Sequence, residues 1–132
     1  MSIFDNLVSF LAHLLTALGL LLVSVMVFVR LTPRDELALI KEGSAGAGVA
    51  LGGVIIGFAL AIGTAVAHST GLWDALLWAS IGLLAQLLGF LGVRLLVPHW
   101  REAMAKGEMA PCVLEAAVAV AVGILTASSL TF

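Results

Sequence analysis

The 132 residues are 62% hydrophobic and only 11% charged, with a mean hydropathy of +1.21; soluble domains carry roughly 25% charged residues. So short a chain has too much surface for its volume, and too few polar side chains to coat it, for a soluble globular fold, which leaves lipid as the solvent. A net charge of −2 offers no electrostatic footprint for nucleic acid, and a single cysteine, Cys112, excludes an internal disulfide framework.

The chain opens Met1-Ser2-Ile3-Phe4-Asp5-Asn6. It lacks the basic stretch of a signal peptide, so the apolar run over residues 7–29 is expected to be a retained span. A hydrocarbon core of ~30 Å needs ~20 apolar residues in a helix. Three further segments meet that length, at residues 46–67, 75–97 and 110–131. Helix is the expected state throughout, because an open strand leaves backbone groups unpaired in lipid. The connector at residues 30–45 has Thr32 to cap a helix, Pro33 for its first turn and Gly43 to end it, so a short interfacial helix is expected there. The connector at 98–109, opening on Pro98, follows the same design. The second and third spans are joined by the short segment 68–73. The reading is an all-α integral membrane protein: one domain, residues 1–132, of four transmembrane helices built as two tandem helical hairpins.

All six basic residues flank the two long connectors: Arg30, Arg34 and Lys41 at the first, Arg94, Arg101 and Lys106 at the second. Cationic residues near span ends resist translocation, so both connectors are expected in the cytoplasm, with both termini outside. One common offset separates Pro33 from Pro98, Lys41 from Lys106 and Ala45 from Ala110. This pattern predicts a parallel internal repeat about an axis along the membrane normal.

Several stretches together resemble the YjfL-like family of small bacterial inner-membrane proteins, a domain of unknown function. They are Leu31-Thr32-Pro33, Leu39-Ile40-Lys41, the Gly-rich segment from Gly52 to Phe58, Trp78, Gln86-Leu87-Leu88 and Val93-Arg94. Ser44 stands where family members often carry Asn. The resemblance covers nearly the whole chain. It implies four spans and an inner-membrane location, and no established activity. Family genes often lie near ATP-grasp amide ligases, which implies a pathway or partner protein.

Two polar residues fall inside spans. Glu115 lies just over one turn into the fourth, and its helical neighbours Cys112, Ala116, Ala119, Gly123 and Thr126 are nearly all small, so it is expected to face protein. It reads either as a proton- or cation-binding carboxylate or as a structural acid, held by the helix N-terminus and by Arg94 or Lys106. Gln86 lies at the middle of the third span, where an amide is expected to hydrogen-bond across helices. Gly46, Gly53 and Gly57 line a small-residue face of the second span, and Gly123 a matching one on the fourth. Gly48–Gly52 and Gly53–Gly57 are both GxxxG steps, a signal for close helix contact within or between chains.

Other polar positions point to packing. The run 43–48 lacks the ending of a phosphate loop and follows no strand, so helix initiation is expected. Ser9, His13 and Thr16 form a thin stripe on the first span. With Asp5, His68 and Asp74 they have no diagnostic ligand spacing, so no metal or cofactor is expected. Cys112 is expected to be a small packing residue. No paired carboxylates or nucleophile–base pair suggests an enzyme. The leading expectation is a non-enzymatic structural or accessory membrane component, acting as a homo-oligomer or with a partner in the bilayer. The alternative is a channel or transporter subunit using Glu115 and Gln86.

Overall fold

The computed structural model describes residues 2–31, 40–41, 43–68, 71–97, 102, 106 and 108–130. Four helices follow one another: α1 (Ile3–Leu31), α2 (Ala45–His68), α3 (Leu72–Leu96) and α4 (Met109–Ser129). All four are long and apolar enough to cross a membrane, and no described residue lies in a strand. The chain is an all-α membrane protein of four spans. Helix α1 begins at Ile3, earlier than the apolar run at residue 7, with Ser2 Oγ accepting from the Asp5 N–H at 3.2 Å. Most of both connectors, including Pro33 and Pro98, lies outside the described residues.

The start of α2 shows why the Gly-rich run initiates a helix. Gly43 adopts φ 91°, a left-handed conformation that favours glycine. Its N–H donates to the Ile40 carbonyl at 2.9 Å. Ser44 then caps α2, its Oγ accepting from the Ala47 N–H at 3.2 Å.

Helix α2 is the most buried of the four and touches each of the others. The most extensive contact is between α2 and α4. Gly46 lies against Cys112, Gly53 against Ala116 and Gly57 against Ala119 and Gly123. Partners advance in the same sense, so α2 and α4 run parallel. Gly82 meets Ala61 and Thr126, and Gly89 meets Val118 and Val122, so α3 runs antiparallel to both. Parallel α2 and α4 put the two long connectors at one end of the bundle and both termini at the other.

Helix α1 is slid toward the termini end. Phe28, three residues from the end of α1, meets Phe58 in the middle of α2 (ring centroids 5.9 Å apart, 79° between planes) and Phe90 (5.8 Å, 85°). Leu20 and Ser24 share a groove with Leu76 and Ala79, near the start of α3. Only Ser24, Phe28 and Val29 of α1 are buried, and residues 3–15 are all exposed. That half of α1, ~20 Å at 1.5 Å per residue, runs past the end of α2 and the start of α3.

Exposed Leu, Ile and Val side chains cover the outer faces of all four helices, as lipid contact requires. Hydroxyls on these faces bond back to the carbonyl one turn earlier: Thr64 to Leu60 at 3.0 Å, Ser80 to Leu76 at 2.8 Å and Ser129 to Leu125 at 2.8 Å. Satisfied in this way, a hydroxyl loses little in a medium without water.

Candidate functional site

Among the described residues, the buried ones are apolar apart from Ser24, Gln86 and Glu115. Glu115 is 3% exposed and Gln86 2%. Both face protein and not the outer surface of the bundle.

Three helices converge at Gln86. Its Nε2 donates to the Ala119 carbonyl on α4 at 2.9 Å. A backbone carbonyl only accepts, so this bond fixes which end of the amide carries nitrogen. The amide passes beneath Gly57 of α2, where a Cβ would fall 2.5 Å from Nε2 and 2.3 Å from the Ala119 carbonyl oxygen. Glycine at 57 is therefore what lets α3 reach across to α4. Gly123 is equally constrained, since a Cβ there would come within 2.4 Å of the Gly57 carbonyl oxygen. Gly53 would place one 2.4 Å from the Ala116 Cα, and Gly46 would place one 2.8 Å from Cys112 Sγ. All four glycines lie against another helix of this chain.

The two GxxxG steps separate here. Gly53–Gly57 faces α4, whereas a Cβ built at Gly48, Gly52 or Gly63 meets no described atom of another helix within 4 Å.

Gln86 and Glu115 line one cavity of about 10 Å³. Phe28 closes it from α1, Val54 from α2, and Phe90 and Val93 from α3, while Val118 and Ala119 complete the α4 wall. One water molecule needs roughly 10–15 Å³ of such space, so the cavity admits a single water-sized species. A carboxyl at the centre of a membrane costs ~2.5–3.5 kcal/mol on insertion scales; Glu115, about a turn and a half from the α4 start, lies nearer the connector end. Arg94 and Lys106, the expected countercharges, are exposed. Helix spacing marked Glu115 and Gln86 one at a time. Nothing in it marked Phe28, Val54 or Phe90, which are ordinary apolar residues until the helices meet.

The remaining polar candidates stay apart from this site. His13 Nδ1 lies 2.7 Å from the Ser9 carbonyl and Thr16 donates to Ala12 at 2.8 Å, both on the exposed part of α1. His68 Nδ1 lies 3.0 Å from the Thr64 carbonyl. Asp74 Oδ1 accepts from Trp78 Nε1 at 3.1 Å at the start of α3. Among the described residues no three His, Cys, Asp or Glu side chains gather as metal ligands. Cys112 is buried and lies against Gly46, its Sγ 3.4 Å from the Glu108 carbonyl.

Two curated relatives are similar along the whole chain. Each is named UPF0719 inner membrane protein YjfL, one from Escherichia coli strain K12 and one from Escherichia coli O157:H7. Both are 29% identical over 132 residues, covering 100% of each chain. No solved structure matches. A family model described as Domain of Unknown Function (DUF350) matches residues 2–130, and the chain belongs to that family.

Proposed function

We propose that the protein is a non-enzymatic structural or accessory component of the bacterial inner membrane that works as a homo-oligomer or with a partner protein. The observation that carries this reading is the uncovered half of α1. Its residues 3–15 are all exposed and run past the end of α2 and the start of α3. The exposed side chains include Ile3, Phe4, Phe10 and Leu15. An apolar helix half extending beyond the rest of a bundle is best covered by another protein surface. The inner-membrane location follows the name of the relatives. The basic connectors support a cytoplasmic placement for that end and an outside placement for both termini.

An internal duplication also fits. Gly57 meets Gly123, one residue away from the offset that relates Pro33 to Pro98. Near-equivalent positions in contact are what a pseudo-two-fold axis between α2 and α4 produces.

A channel or transporter subunit is the second reading, favoured by the shared cavity of Glu115 and Gln86. That cavity is water-sized, so a conducting path would have to form between copies.

Assembly is the test. Leu11→Cys in α1, placed in a Cys112→Ala background, is expected to crosslink to a second copy or a partner in native membranes, and native mass spectrometry to show the same assembly. A strict monomer that co-purifies with nothing would overturn the proposal. Ion flux from the purified protein in liposomes would favour the second reading.

A further inference from the structure

The cavity between α3 and α4 combines four features. Glu115 lines it from α4 and Gln86 from α3, both more than nine-tenths buried. Two phenylalanine rings, Phe28 and Phe90, also line it. Its volume matches a single water-sized particle.

The geometry points to a binding site for one dehydrated, water-sized monovalent cation, such as ammonium or potassium, held by Glu115 and Gln86. One carboxylate balances one positive charge. A divalent ion would keep a charge that one carboxylate does not balance, and a transition metal would want nitrogen or sulfur donors. With Nε2 committed to Ala119, the Gln86 amide keeps its oxygen as an acceptor for a cation. Aromatic faces attract cations within about 6 Å, most strongly where water is excluded. The cavity is too small for an ion with its hydration shell. Cations that shed water easily are therefore favoured over smaller, strongly hydrated ones.

This inference does not depend on the assembly reading, because the site lies within one chain. The test is thermal unfolding of the purified full-length protein in detergent. Ammonium, potassium, sodium and N-methyl-D-glucamine chlorides are compared at equal ionic strength, the last being too bulky for the cavity. Ammonium or potassium is expected to raise the melting temperature above its value in N-methyl-D-glucamine, saturably with concentration. The shift is expected to vanish in Glu115→Gln. It is also expected to vanish in Val54→Ile, which fills the cavity while keeping both polar groups and guards against misfolding of the first variant. Equal melting temperatures in all four salts would overturn the site, leaving a proton or a water as its occupant. A shift that survives in Val54→Ile or Glu115→Gln would overturn it as well.

Discussion

Gln86 donates to the Ala119 carbonyl across the α3–α4 interface at 2.9 Å, with Gly57 of α2 directly above the bond. In lipid an amide has no water to fall back on, yet the bond's net worth is modest because the unfolded chain in the membrane also finds partners. Gln86→Leu is expected to cost about 0.6–2 kcal/mol. Reversible unfolding in mixed detergent micelles measures it. A variant as stable as the parent would show that the bond only orients the helices.

The glycines divide into two classes. Gly57→Ala and Gly123→Ala each drive a Cβ into backbone of the facing helix, which has no soft side chain to yield. Each is expected to destabilise the bundle by about 1–3 kcal/mol or more. Gly48→Ala and Gly63→Ala meet no described atom within 4 Å, so the isolated chain is expected to lose nothing. Melting temperatures of the four variants, measured side by side, check the division.

This division shows what the sequence could and could not convey. Small residues at helical spacing announced close contact, because a missing Cβ is a local property. Which GxxxG step would be used inside the chain was not local: it depended on the rotation of α2 against α4. Glu115 and Gln86 were likewise visible as polar interruptions of apolar spans. Their meeting in one cavity depended on the depth at which Gln86 faces Ala119. The slide of α1 was illegible for a simpler reason. Its apolar residues run almost unbroken from Leu7 to Val29, so hydropathy alone favours no one depth along it. The ring contacts of Phe28 with Phe58 and Phe90, and the groove that Leu20 and Ser24 share with Leu76 and Ala79, fix the register.

Topology provides a third check. Reporter fusions at the C-terminus are expected to be active outside the cytoplasm, and fusions in either long connector inside it. A C-terminus found in the cytoplasm would invert the orientation. A split result, with the two connectors on opposite sides, would contradict the parallel run of α2 and α4.

Cys112 is fully enclosed, at 0% exposure, against Gly46. A membrane-permeant maleimide is expected to leave it unmodified in the folded protein and to label it completely after denaturation. Rapid labelling in native membranes would mean that the α2–α4 contact opens at its connector end.

The α2–α4 contact also bears on how the protein is made. At ~5–20 residues per second, ribosomes need about 3–13 s to synthesise the stretch between Gly57 and Gly123. The insertion of α4 lags that of α2 by an interval of that length, and until it arrives the glycine face of α2 is bare. The first hairpin must therefore survive as a loosely held insertion product until its last helix arrives. During that wait, an α4 from a neighbouring nascent chain offers the same surface, so crowding at the insertion site would favour exchange of helices between copies.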